Sequence, residues 1–300
     1  MKKHAIQFFI IIFTMCVVNG YSQSNLLNAK TPAEIGKKTK DQLANDADKP
    51  LDYGYVDDRD VLWSKVIWEY VDLNERLNLP YFYPVDTTDA PASRRSLFDT
   101  LLKGIKNGKI TEVYDNSYFT SRLSKAEVMS KLQKVDTTEA GIDEYNSGNN
   151  NIEEYINKIS ISARNIEGFK IKGIWYFDKR QGELKYRMLA LAPIAPDVQL
   201  LGRDDIDVSE QLALFWVWFP NARQSLHDMK VFNEKNSAFP LSFDHLLNAR
   251  RFTSIIYREE NIYGDRDIQD YIKDYSLYQV MESYKIKEDI RNKELDMWSY

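Results

Sequence analysis

The sequence predicts an α+β fold, with helices in the first half and a mostly antiparallel, strand-rich second half. Three observations predict it. Leu97, Leu101, Leu102 and Ile105 recur at helical spacing, as do Val128, Met129 and Leu132 behind a Ser124/Glu127 capping-box pattern. Phe169, Ile171, Trp175 and Phe177 instead alternate with Lys170, Lys172, Tyr176 and Asp178, and Leu184, Tyr186 and Met188 alternate back after a turn at Arg180-Gln181-Gly182, the pattern of a β-hairpin. Leu212 to Phe219 is apolar on both faces, as a central strand would be.

From the N-terminus, Lys2 and Lys3 precede an apolar run from Ala5 to Val18, and Gly20 and Ser22 are small residues ahead of Gln23. Residues 1–22 therefore read as a secretory signal peptide cut between Ser22 and Gln23. The run is too short for a comfortable bilayer span, and no later stretch has 18 consecutive apolar residues. Cys16 is the only cysteine, and Met15 and Phe13 stand where lipid attachment needs a small residue and usually Leu, so no lipid anchor is expected. Without Cys16 the chain has no disulfide, thiolate nucleophile or cysteine-held metal. Its charge of −5, made more negative by loss of Lys2 and Lys3, argues against nucleic acid as a partner.

Residues 23–52 are polar and aperiodic with a cluster at Lys37, Lys38 and Lys40, an arm that reads either as a leader or as a strap on a neighbouring subunit. In Asp57 to Asp86, Val61, Leu62, Val66, Ile67, Tyr70, Val71 and Leu77 recur at roughly helical spacing behind Asp57, Asp58 and Asp60. This predicts a helix whose first turn the acids cap; the D-x-D-x-D-G register of a calcium loop is missing. The stretch is rich in the aromatic side chains that protein surfaces recognise. A helix over Leu97–Ile105 that Gly108 ends, a strand over Ile110–Tyr114 and the capped third helix complete a subdomain over 53–135.

Residues 136–154 turn to Asp, Thr, Glu, Gly, Asn and Ser, ending in Asn149-Asn150-Asn151, and are expected to be a linker or surface loop before a second subdomain, 155–300. There, a helix over Phe243–Ala249, a strand over Phe252–Tyr257 and a C-terminal helix with Leu277, Val280, Met281 and Tyr284 on one face follow the hairpin. Phe98-Asp99-Thr100-Leu101-Leu102 leading to Tyr114 echoes Phe243-Asp244-His245-Leu246-Leu247 leading to Tyr257, which opens a reading as two related helix-plus-strand units.

Chemistry is thinly represented. Beyond the leader only His227 and His245 remain, and a lone histidine on an amphipathic helix is usually structural. No H-E-x-x-H, nucleophile elbow, Walker loop or dinucleotide fingerprint is present. Trp175, Trp216 and Trp218 offer the alternative of a periplasmic glycan-binding protein or carboxylate glycosidase, although Phe215, Val217 and Phe219 on the opposite face favour burial of the last two.

Segments along nearly the whole chain then carry a resemblance: Arg59 through Leu79-Pro80-Tyr81-Phe82-Tyr83-Pro84, Ser96-Leu97-Phe98-Asp99, Ile174-Trp175-Tyr176-Phe177-Asp178-Lys179-Arg180, Ala192-Pro193-Ile194-Ala195-Pro196-Asp197, Leu246-Leu247-Asn248-Ala249-Arg250-Arg251-Phe252 and Ile262-Tyr263-Gly264-Asp265-Arg266. In this order they resemble the GldN family, also called PorN, of periplasmic core components of type IX secretion and gliding-motility machinery. The resemblance implies a non-enzymatic ring subunit without cofactor or metal. It implies self-association in the ring, assembly with the outer-membrane lipoprotein GldK/PorK and contact with the periplasmic part of the motor subunit GldM/PorM. Arg250, Arg251, Tyr81 and Tyr83 are the candidate interface residues, since arginine and tyrosine are enriched in interfaces.

Overall fold

The structure, a computed structural model, describes residues 31, 40, 48–86, 94–148, 155–201, 211–231 and 241–297. The signal peptide, its cut between Ser22 and Gln23, most of the 23–52 arm and Asn149-Asn150-Asn151 lie outside them. One compact unit takes in Pro50–Phe232 and Leu241–Tyr300.

The helix expected behind Asp57 is instead a strand. Asp57 caps a single 3-10 turn over Asp58–Asp60, and β1 follows directly over Val61–Asp72. Its apolar residues mimic a helical period because the middle of the strand, Ile67-Trp68-Glu69, is buried on both faces. Next come the short helix α1 (Leu79–Phe82) and α2 (Leu97–Lys106), where Ser96 accepts the Asp99 N–H at 3.2 Å and Gly108 ends the turn at φ 71°. The expected 110–114 strand shrinks to β2 (Val113–Tyr114). Helix α3 (Lys125–Leu132) has the expected capping box, with Ser124 and Glu127 bonded reciprocally. Of the 136–154 segment, the described residues include the end of β3 (Gln133–Thr137) and α4 (Glu139–Asn146), and β3 pairs with β4 (Ile156–Ser160) as a two-stranded ribbon.

In the second half the hairpin forms as expected, β5 (Gly168–Asp178) and β6 (Glu183–Pro196) turning at Gly182 with φ 64°. The run Leu212–Phe219 is a broken strand, β7 (Gln211–Ala213) and β8 (Trp216–Trp218), and Phe219 already begins α5 (Phe219–Asp228), since Pro220 suits a helical first turn. β9 (Lys230–Val231) pairs with β10 (Leu241–Ser242), and α6 (Phe243–Asn248) is capped by Ser242. The following strand is shifted to β11 (Ile255–Glu259), and α7 (Ile268–Tyr271) and α8 (Ser276–Met297) close the chain.

The result is an α+β fold built on an antiparallel sheet of order β11-β1-β5-β6-β8-β2, with β7 pairing β6. Segments 53–135 and 155–300 contribute strands to this same sheet, and the two halves of the internal echo end at its opposite edges. On one face α2, α5 and α6 cover a core that includes Phe98, Leu101, Phe169, Ile171, Leu191, Phe219 and Phe243. Each such large side chain contributes about 1.5–3 kcal/mol relative to exposure. Further along this face a small cluster of Ile67, Ile256 and Ile268 lies under Ile286 and Ile290 of α8. Trp68, Ala190, Ala192 and Trp216 face the other side, where the buried Lys172 donates to the Ser117 carbonyl at 2.9 Å and lies over the Trp68, Tyr118 and Phe119 rings.

Candidate interaction surface

Helix α8 turns most of its expected apolar face, Leu277, Val280, Met281 and Tyr284, outward. Its buried residues are Ser283, Ile286 and Ile290. Leu277 is 69 % exposed, Met281 56 % and Tyr284 66 %, and their i, i+4, i+7 spacing puts them in one outward line. Tyr278 and Tyr275, whose rings meet edge-on at 5.6 Å, and Tyr271 of α7 are also exposed. α8 is therefore apolar on two opposite faces and only the narrower one meets the body. The signal for the inner face, Ile286 and Ile290 one turn apart, was present but is shorter than the outer stripe.

The inner side of α8 roofs a cleft of about 720 Å³. In its floor is Glu69 of β1, fully buried, whose carboxylate accepts a two-pronged pair from the Arg250 guanidinium at 2.7 and 2.9 Å, the Ser254 hydroxyl at 2.8 Å and the Tyr186 phenol at 3.2 Å. Burial acts to raise the Glu69 pKa, but the Arg250 hydrogen bonds and charge, aided by Ser254, carry it below the ordinary carboxylate value. The Arg250 guanidinium lies 4.0 Å over the Tyr186 ring and 5.3 Å over Trp175. Tyr186 reaches this position because its phenol crosses the β5 backbone where Gly173 has no side chain. Lys287 of α8 donates to the Ser254 carbonyl; burial lowers its pKa, and Glu69 opposes that shift.

The sequence-predicted residues divide. Arg250, 24 % exposed and with φ 49°, holds Glu69 within the fold, which corrects the expectation that its charge faces a partner: a buried carboxylate requires a cation, and this one supplies it. Tyr81 is 2 % exposed and donates to the Arg251 carbonyl at 3.1 Å, so its role is internal as well. Arg251 and Tyr83 are exposed. Directly after the expected arm, Tyr53 lies against Arg223 at 4.3 Å and donates to Asn248 at 2.8 Å.

Of the indoles, Trp216 is buried, Trp218 is half-buried against Phe119 at 5.0 Å, and Trp175 lines the cleft. His245 is exposed on α6, and His227 Nδ1 lies 3.5 Å from the Ser242 hydroxyl. Among the described residues no cluster of three or more His, Cys, Asp or Glu side chains is arranged to hold a metal, and no helix is long and apolar enough to cross a membrane.

The family model described as "Gliding motility associated protein GldN" matches residues 56–299. No curated protein matches the chain.

Proposed function

Because the chain belongs to the GldN family of gliding-motility-associated proteins, we propose that it is a non-enzymatic periplasmic scaffold subunit of the type IX secretion and gliding apparatus. In this reading it assembles with the outer-membrane lipoprotein GldK/PorK into a ring and couples that ring to the periplasmic part of GldM/PorM. The observation that carries the reading is the outward stripe of α8. An exposed line of Leu277, Met281 and Tyr284 beside Tyr275 and Tyr278 gains nothing for the isolated fold, whereas such a patch of tyrosine, methionine and leucine stabilises association when covered. A ring closed head to tail also needs a second, different surface, and exposed Arg251 and Tyr83, on segments joined by the Tyr81–Arg251 hydrogen bond, supply a candidate.

The alternative, a glycan-binding protein or glycosidase, fits less well. It needs accessible indoles and a free pair of carboxylates, but Trp216 is buried, the Trp175 ring in the cleft is faced by the Arg250 guanidinium at 5.3 Å, and Glu69 is held by Arg250. The deciding experiment is purification of a tagged chain from the cell envelope with Leu277 and Met281 both replaced by Ser. The expected result is a folded protein that no longer carries the lipoprotein, with secretion lost. Unchanged co-purification and secretion would remove α8 as the docking face.

A further inference from the structure

The cleft beneath α8 is graded along its length. Ser283 Oγ accepts the Ile256 N–H, and Lys287, one turn later, donates to the Ser254 carbonyl, so α8 runs antiparallel to β11 and alongside β1 in its own direction. Trp175 pairs with Lys65 in the sheet and therefore lies toward the start of β1, where Trp175, Leu184 and Ile67 make an apolar end. In the middle are Glu69, Arg250 and Lys287. Glu69 and Arg250 neutralise each other, and among the described residues Lys287 has one hydrogen bond and no ion pair, leaving two ammonium donors and a net positive charge there. From the last residue of β1 onward the lining carries Asp72 and Glu75, and α8 brings Glu294 to them; the one cation of the lining at that end, Arg291, is paired with Glu288 at 3.0 Å. The order is apolar, positive, negative.

We propose that this cleft receives an extended segment of a partner protein in which an apolar residue is followed by a carboxylate and, about three positions on, by a cation. The proposal rests on the scaffold reading and names what one of its contacts recognises. The spacing follows from the helix: Lys287 and Glu294 are seven residues apart, about 10 Å along the axis, which an extended chain covers in about three residues. A cleft of about 720 Å³ has room for several side chains of such a segment. The apolar residue would sit against Trp175 and Leu184, the carboxylate would take the spare Lys287 donors, and the cation would face Asp72, Glu75 and Glu294. Partial burial of Lys287 strengthens that contact, because a pair screened from water is worth more than one on the surface.

The test uses the full mature chain and two fluorescein-labelled peptides, acetylated and amidated, Gly-Phe-Asp-Ser-Ser-Lys-Gly and its isomer with Asp and Lys exchanged, read by fluorescence anisotropy. The expected result is a preference of about tenfold or more for the first peptide. Lys287→Glu should abolish or invert that preference, and Glu294→Lys, farther from the Glu69 network and so less disturbing to the fold, should weaken the first peptide's binding and favour the isomer. Equal binding of the two peptides, no binding up to millimolar concentration, or a preference indifferent to both substitutions would overturn the proposal. A variant confined to the outward face, Leu277 and Met281 both to Ser, separates the readings; Tyr284 stays in place because it also lines the cleft. If it loses assembly while the unaltered chain does not discriminate the peptides, only the cleft proposal fails. If the peptides are discriminated while assembly survives both the outward-face and the Lys287 changes, only the scaffold reading fails.

Discussion

Glu69 and Arg250, 181 residues apart, meet in a two-pronged ion pair of 2.7 and 2.9 Å that ties the second strand of the sheet to the turn after α6. Every oxygen of the buried carboxylate is matched, and the cation is enclosed by the Tyr186, Trp175 and Phe252 rings. Arg250, although it lies at the edge of the cleft, is thereby committed to an internal partner.

Charge reversal at the two adjacent arginines should have unlike outcomes. Arg250→Glu leaves Glu69 unpaired and adds a second acid beside it; loss of one partner of a buried pair costs about 3–5 kcal/mol. Urea unfolding should show that loss for Arg250→Glu and none beyond about 0.5 kcal/mol for the exposed Arg251→Glu. Replacing Glu69 and Arg250 together by Met should recover much of the stability, because no lone charge remains buried. A stable, folded Arg250→Glu chain would contradict the pairing.

Acid stability should report the same pair. The folded-state pKa of Glu69 lies below its unfolded value near 4.5, so its contribution is complete above that value and is lost as pH falls through the depressed one. Stability of the unaltered chain should therefore decline more steeply below pH 4.5 than that of Glu69→Gln, measured as urea midpoints across the acid range. Parallel curves would mean that this carboxylate has no depressed pKa.

Gly173→Ala should destabilise by about 1–3 kcal/mol through overpacking alone. The new Cβ would meet the Tyr186 phenol, which must move away from Glu69 and from under Arg250. Combining it with Tyr186→Phe should lose less than the sum of the two changes, since both disturb the same phenol. Additive losses would show that the collision is not the cause.

Ser283→Ala should loosen α8 locally. It leaves the Ile256 N–H without its 2.8 Å partner at a buried edge, a loss of about 1–3 kcal/mol. Hydrogen exchange should quicken in α8 and β11 and stay unchanged in α2, because α8 rests on only a small isoleucine cluster. Uniform quickening across the chain would mean that α8 unfolds only with the whole.

The elements that can be read from sequence alone are local ones. The helix starts at Ser124 and the hairpin at Gly182 are legible because the caps, turn glycine and alternating residues that produce them lie within a few positions of one another. The candidate surface was only partly legible. The outer stripe of α8 stands out in sequence as an apolar face, yet nothing in the helix itself says whether that face or the Ile286/Ile290 face meets the sheet; Ile67, Ile256 and Ile268, from three distant segments, decide it. The tertiary structure also made Val61–Asp72 a strand, because its apolar residues satisfy either period until β5 and β11 take up its backbone hydrogen bonds on both sides. It likewise gave Arg250 an internal partner, since the carboxylate that demands it is 181 residues away and a buried charge is stabilised by whichever cation the fold brings to it.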